Sequence, residues 1–342
     1  MFVNSDNYIK YLKLWLITLF LLIILMVAVG GLTRLTDSGL SITAWELFTG
    51  ILPPLNINEW NFYFSEYKKI PEYQNINFGM TLSEFKVIFY WEYVHRLLAR
   101  IVGLFSFIPL VIFSFKFKNN KIYSSKYYSI FLLVCLQGFI GWYMVSSGLI
   151  ENNDVSHFRL SVHLTLALFI LCLIFWFLLD LFNFKKFKIK IPNLLLFFIL
   201  ILIILQIILG ALLSGLDGGL IYNSWPSMNG TFFPSDVSIG DYLSYELFYN
   251  PSIIQFFHRI TAYILLFFII ILNYQFIKKK LNLSNILLFD IAILLQVFLG
   301  IITLLSGVEI KYASLHQLGS IFVLISYVLI LYKNSNQRLL LF

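Results

Sequence analysis

Cysteine is nearly absent from this chain, which has two cysteines among 342 residues. Cys135 and Cys172 both lie within long apolar runs, where a free cysteine behaves as a small hydrophobic side chain. We therefore expect both to be buried by packing. Cysteines so placed exclude an outer-loop disulfide, and two of them alone cannot build a cysteine-ligated zinc or iron–sulfur site.

Charge is scarce as well. Only 12 % of the residues are charged, whereas 60 % are hydrophobic, and this balance excludes an ordinary soluble domain. The hydrocarbon core of a bilayer, roughly 30 Å thick, requires about 20 apolar residues in each helical span. Eight segments meet that length, and we predict an all-α integral membrane protein. The predicted spans are 12–30, 86–113, 127–147, 159–180, 193–214, 252–277, 284–306 and 312–332.

The net charge of +7 is explained by where the basic residues lie. They precede the first span, follow the last one and fill alternate connections, so the positive-inside rule places both termini in the cytoplasm. The positive net charge therefore reflects the orientation of the chain in the membrane and not a nucleic-acid partner. The N-terminal residues lack the Arg and Ser content of a transit peptide, which favours a bacterial plasma (inner) membrane. The basic residues are Lys10, Lys13, Lys116, Lys118, Lys121, Lys126, Lys185, Lys186, Lys188, Lys190, Lys278, Lys279, Lys280, Lys333 and Arg338.

The two halves of the chain resemble each other, which indicates a tandem duplication. We predict two four-helix bundles, residues 1–182 and 183–342, with the same orientation and a pseudo-two-fold axis along the membrane normal. The long outer loops, 31–85 and 215–251, are expected to be functional. The matching segments are GGLTRLTDSGLSITAW (30–45) with GALLSGLDGGLIYNSW (210–225), EYVHR (92–96) with QFFHR (255–259), QGFIGWYMVSSG (137–148) with QVFLGIITLLSG (296–307), and SVH (161–163) with SLH (314–316).

Four of the five histidines lie near the outer ends of the even-numbered spans, and the duplication pairs His95 with His258 and His163 with His316. Polar side chains inside a membrane are costly and are functional candidates. Facing helices of a four-helix bundle can hold a cofactor between opposed histidines, which predicts two bis-histidine haem sites. A zinc or copper site would be underfilled by two imidazoles. The fifth histidine, His157, is expected to be a solvated loop residue.

The two copies differ in charge at equivalent positions, since Glu92 of the first half corresponds to the neutral Gln255 of the second, and Arg34 corresponds to Ser214. Glu92 lies three residues before His95 and hence on the same helix face. A buried carboxylate there can exchange protons or stabilise a developing cation, although it could instead pair with Arg34, Arg96 or Arg100. This difference suggests that the first half does chemistry and the second carries electrons.

Two arginines follow repeated histidines directly. Arg96 and Arg259 could each meet a haem propionate, or could simply extend to the membrane interface. The glycines in the spans, which include Gly30, Gly141 and Gly210, are interpreted as sites of close helix packing.

Several motifs together resemble the haem A synthases of bacteria and mitochondria, over nearly the whole chain. Such enzymes oxidise a methyl group of haem O to the formyl group of haem A, with water as the oxygen source. The resemblance implies that His258 and His316 bind a haem b cofactor, that His95 and His163 flank the iron of the substrate haem, and that Glu92 is the catalytic carboxylate. The motifs are GGLTRLTDSGLS, EYVHR, QGFIGWYMVSSGL, RLSVH, FFHR and LHQ.

The resemblance also implies partners: a haem O synthase as donor, a quinone or protein as electron acceptor, and a terminal oxidase that uses the product. It leaves a homo-oligomer open. This sequence departs from some family members because it lacks a cysteine pair in the first outer loop. A quinol-linked cytochrome b, carrying electrons between two haems, is the competing hypothesis. A haem transporter is disfavoured because the four histidines share one depth.

Overall fold

The computed structural model describes residues 5–46, 49–116, 121–150 and 152–335. Lys118, Arg338 and the two chain termini, on which the predicted orientation partly rests, lie outside these ranges. Within them every regular element is a helix, apart from one isolated bridge between Met228 and Thr231.

Eight of the helices are long and apolar enough to cross a membrane, as the hydropathy predicts. Their carbonyls and amide hydrogens bond within each helix, which a segment surrounded by lipid requires. The prediction of an all-α protein with eight spans is confirmed for the described residues. The helices are α1 (Ser5–Leu35), α2 (Ile57–Tyr67), α3 (Pro71–Asn75), α4 (Leu82–Lys116), α5 (Lys121–Val145), α6 (His157–Leu181), α7 (Asn193–Gly215), α8 (Pro251–Lys278), α9 (Ser284–Leu305) and α10 (Ile310–Asn334). All but α2 and α3 are candidate spans.

The chain divides into two compact units between Ile174 and Phe175. In the first unit α1 packs against α4, and α4 against α5. The indole nitrogen of Trp15 donates a hydrogen bond to the carbonyl of Phe105 at 2.6 Å, which ties α1 to α4.

In the second unit α7 packs against α8, and α9 against α10. The Tyr327 hydroxyl donates to the carbonyl of Leu196, and the Asn273 amide donates to Asp290 at 2.9 Å. These bonds satisfy polar groups within the apolar helices, where an unpaired group would be costly.

The first long connection contains α2 and α3. Asn56 caps α2 by accepting a hydrogen bond from the Glu59 amide at 2.9 Å. The aromatic face of α2, which includes Trp60 and Phe64, is buried against Phe85 and Phe89 of α4. This packing explains why α4 begins at Leu82, before the predicted start of the span.

Two expectations about single residues are wrong. His157 is the first residue of α6 and is buried, with its ring centroid 4.2 Å from that of Phe158, because α6 begins earlier than its apolar run. Cys135 is exposed on α5, whereas Cys172 is partly buried as expected. The contacts of α5 are mainly with α4, so that one face of α5 stays uncovered by the protein.

Glu72 on α3 is a buried carboxyl group, only 5 % exposed. Its Oε1 accepts a hydrogen bond from the Tyr67 hydroxyl at 3.2 Å. Burial raises the pKa of Glu72 to about 8, the Tyr67 hydrogen bond opposes this rise, and the negative charges of Asp154, Glu92 and Asp37 add to it. The carboxyl group is therefore protonated at neutral pH.

This burial predicts a pH-dependent stability of α2 and α3. Between the unfolded pKa of 4.5 and the folded pKa of about 8, the unfolded state releases the proton while the folded state keeps it, so stability falls as pH rises. Glu72→Gln should remove this dependence and leave the helices more stable than wild type at pH 8. Amide hydrogen exchange of α2 and α3, corrected for intrinsic rates, measures the effect. Equal pH slopes in the two proteins would contradict it.

Candidate functional site

Each of the four paired histidines lies against a glycine on the long helix that precedes it in the chain. A Cβ atom built on these glycines would come within 2.8 to 3.2 Å of the histidine Cε1 atom, closer than side chains normally approach. Only glycine therefore lets the imidazole approach the opposite helix backbone this closely. The pairs are Gly30 with His95, Gly141 with His163, Gly210 with His258, and Gly300 with His316.

Within each unit the two histidines are close enough to influence each other electrostatically, His163 with His95 and His258 with His316. The Nδ1 atoms of His95, His258 and His316 are buried without a hydrogen-bond partner. His95 lies deeper in its helix than the expected two turns from the outer end. Because α4 begins early, His95 is more than three turns from the start of α4, whereas the other three histidines are about two turns from the starts of their helices.

Haem fits these residues better than a bare metal ion does. Three of the four histidines have a buried imidazole nitrogen without a partner, a group that can bind iron, and the glycines fix the positions of all four rings. Across the described ranges, no group of three or more His, Cys, Asp and Glu side chains is arranged to hold an ion. Two opposed imidazoles are sufficient for haem, whose porphyrin supplies the remaining iron ligands.

Three glutamines support the histidines, and the motifs of the sequence alone did not predict a role for them. Each donates a hydrogen bond from Nε2 to the backbone carbonyl of the histidine on the next long helix. The signal was present in the sequence, because each glutamine precedes a histidine-contacting glycine by four residues, or one helical turn. The bonds are Gln137 to His163 at 2.9 Å, Gln206 to His258 at 3.0 Å, and Gln296 to His316 at 2.9 Å.

Glu92 is buried and its carboxylate accepts four hydrogen bonds. The Ser41 hydroxyl and the Ile42 amide donate to Oε2 at 2.7 and 2.8 Å. Arg96 donates to Oε1 from Nε and Nη2 at 2.9 and 2.7 Å, and forms an ion pair. The carboxylate thus joins α4 to the first outer loop, and of the three arginines considered from the sequence it is Arg96 that pairs with it.

Arg96 also bonds to the outer loop itself, by donating to the carbonyls of Ile42 and Ala44 at 2.7 and 2.9 Å. The Arg96 guanidinium is therefore held between Glu92 and the outer loop and does not extend freely to the membrane interface. Arg34 instead contacts Asp37 at 2.7 Å and Asp154 at 3.7 Å.

The second unit repeats this arrangement with a neutral residue. Arg259 donates to the carbonyls of Tyr222 and Ser224, the sequence counterparts of Ile42 and Ala44, and to Gln255 Oε1. Gln255 donates to the carbonyls of Gly218 and Tyr222. In the first unit the Glu92 carboxylate accepts a hydrogen bond from a backbone N–H group of the loop, whereas in the second unit the Gln255 side chain donates to backbone carbonyls of the loop. Glutamine in place of glutamate therefore reverses the direction of the hydrogen bond and removes a negative charge.

These features define an all-helical membrane protein with one pair of glycine-packed histidines in each unit. The chain matches the family described as "Cytochrome oxidase assembly protein" over residues 13–328. It is 78 % identical over 336 residues to a "Heme A synthase" of Pelagibacter ubique, a match that covers 98 % of this chain and 100 % of the relative.

More distant relatives carry the same name. A "Heme A synthase" of Rickettsia bellii is 45 % identical over 338 residues, with 95 % of this chain and 99 % of the relative covered. One from Rickettsia felis is 42 % identical over 320 residues, covering 91 % and 94 %. The chain therefore belongs to the cytochrome oxidase assembly protein family that contains the haem A synthases, and the resemblance indicated by its motifs is confirmed.

The glycine contacts predict a position-specific effect of adding one methyl group. Gly141→Ala would place Cβ 2.9 Å from Cε1 of His163, so the ring must move and haem bound to the first unit should be lost or altered. Gly138→Ala, one turn away on α5, meets nothing within 4 Å and is the matched control. Haem content and absorption spectra of the purified variants measure the difference. Equal haem content in both variants would refute the steric role of Gly141.

Proposed function

We propose that this protein is a haem A synthase, an oxidoreductase that converts a methyl group of haem O into the formyl group of haem A. The reaction takes one water molecule and releases four protons and four electrons to an acceptor. The observation that carries the proposal is the combination of two similar histidine pairs with the buried Glu92 carboxylate one turn before His95, where the second unit has the neutral Gln255 before His258. The names shared by the relatives support the same activity.

The second unit is assigned to the cofactor. His258 and His316 would hold haem b through their ring nitrogens, and Gln206 and Gln296 bond to the carbonyls of these two residues. Haem b in this position supplies one-electron transfer. Gln255 adds no charge beside the pair, which suits a site that passes electrons without taking up substrate protons.

The first unit is assigned to the substrate. His95 and His163 would flank the iron of haem O, with Glu92 one turn before His95 on α4. A carboxylate there can accept protons released from the methyl carbon and water, and can stabilise positive charge that develops on the substrate. Because Ser41, Ile42 and Arg96 bond to its oxygens, the carboxylate is fixed before substrate binds.

The division of roles follows the two halves, with the substrate site in residues 1–182 and the cofactor site in 183–342. We place the protein in a bacterial inner membrane with cytoplasmic termini and the haem sites towards the outer side. A haem O synthase is the proposed donor, and a quinone or redox protein the electron acceptor. The competing function of a bis-haem electron carrier draws no support from the three relatives described above, each of which carries the synthase name.

The synthase proposal predicts that Glu92→Gln abolishes haem A formation while both histidine pairs keep haem. The exchange preserves side-chain size but removes the proton acceptor, so we expect a loss of at least about 100-fold, in the range for general bases. Mass analysis of haem extracted from cells supplied with haem O measures the product. A pure electron carrier would keep its haem content and redox activity in this variant.

A matched control tests whether haem A formation requires a carboxylate at position 92 or is lost when any carboxylate of the outer segment is removed. Glu46→Gln removes a carboxylate from the same outer segment, where Glu46 accepts hydrogen bonds from the Tyr63 hydroxyl at 2.8 and 3.0 Å. This variant should retain most of the haem A formation. If Glu46→Gln and Glu92→Gln fail equally, the loss comes from a disturbed outer loop, and Glu92 is not the proton acceptor.

The cofactor assignment predicts that His258→Ala and His316→Ala each abolish the low-spin haem b spectrum of the second unit. The same substitutions at His95 and His163 should leave that spectrum in place and remove substrate binding. Absorption spectra of the reduced purified proteins distinguish the four variants. An unchanged haem b signal in either second-unit variant would show that its iron ligands lie elsewhere.

A further inference from the structure

Three of the four paired histidines are held by a hydrogen bond from a glutamine on the neighbouring helix, and the fourth is not. His163, His258 and His316 each receive a glutamine hydrogen bond at the backbone carbonyl, and the glutamine lies one turn before the glycine that contacts the ring. The corresponding position before Gly30 on α1 is Met26. A thioether carries no N–H donor, so His95 lies against its glycine without this second support.

The three glutamines also leave a group unsatisfied. The Oε1 atoms of Gln137, Gln206 and Gln296 are buried without a hydrogen-bond partner, a costly arrangement that occurs at all three positions. The amide nitrogens of Gln137 and Gln206 also lie 3.1 and 3.2 Å from a ring nitrogen of His163 and His258, so these glutamines contact the imidazole as well as the backbone carbonyl. Met26 can offer His95 neither contact, because its side chain has no N–H group.

We propose that Gln137, Gln206 and Gln296 are positioning residues that fix three histidines as firm iron ligands, and that Met26 leaves His95 as the exchangeable ligand. This inference rests on the proposed function, in which the haem at His95 arrives as substrate and leaves as product at every turnover. The haem at His258 and His316 must stay. A ligand without the glutamine contact is held less firmly and binds iron more weakly, which permits release on the His95 side.

The test exchanges the two side chains between equivalent positions. In Met26→Gln the haem of the first unit should be released more slowly, and in Gln206→Met the haem of the second unit should be released faster. One net hydrogen bond corresponds to a change of about 3-fold to 10-fold in each rate. The measurement is the transfer of haem b from the purified, haem-loaded protein to excess apomyoglobin, with the two units resolved as fast and slow phases.

Met26→Leu is the matched control, because it keeps an apolar side chain and adds no donor. It should release haem at the wild-type rate. If Met26→Gln and Met26→Leu release haem equally fast, or if folded Gln206→Met holds haem as firmly as wild type, the inference is wrong. Should Met26→Gln fail to fold, Gln137→Met tests the first unit in the opposite direction, with faster release expected and an unchanged rate contradicting the proposal.

The release rates separate this inference from the proposed function. Wild-type protein that binds haem at both pairs but forms no haem A would refute the synthase function, while the rates would still report on Met26 and Gln206. Conversely, normal haem A formation together with equal release rates in Met26→Gln and Met26→Leu would refute the positioning role alone.

Discussion

The close approach of an imidazole ring to the backbone of a neighbouring helix is the constraint on which the rest of this structure depends. A histidine inside an apolar helix is costly unless its ring is packed and its nitrogens have a use. Glycine at the facing position lets the ring reach the opposite helix, and in three sites a glutamine one turn away bonds to the histidine carbonyl. Together these contacts fix the register of two helices at the residue that would hold iron.

The outer loops are held by the same helices that carry the first histidine of each pair. Arg96 on α4 and Arg259 on α8 bond to carbonyls at equivalent loop positions, so the duplicated units keep the same connection between ligand helix and loop. Within that shared arrangement the exchange of Glu92 for Gln255 changes charge without changing location. The proposed division of roles rests on this difference, because a carboxylate can accept a proton and a neutral amide cannot.

A second asymmetry accompanies the first. Met26 replaces the glutamine found at the other three sites, one turn before the glycine that contacts His95. Firm binding suits a permanent cofactor, whereas a substrate must leave after reaction, and both differences concern the surroundings of His95. Neither requires a change in the iron ligands themselves.

The sequence by itself determined the eight spans, the internal repeat, the paired histidines and the Glu92 carboxylate without a charged counterpart in the second half, because apolar runs and internal repeats can be read directly from the order of residues. Only the tertiary structure decided which groups meet. The glutamine bonds to histidine carbonyls, the glycines under the rings and the Arg96 partner of Glu92 depend on the register between helices distant in sequence, which hydropathy does not specify. The early start of α4, the burial of His157 and the exposure of Cys135 have the same origin, since each follows from which helix faces are covered by neighbours.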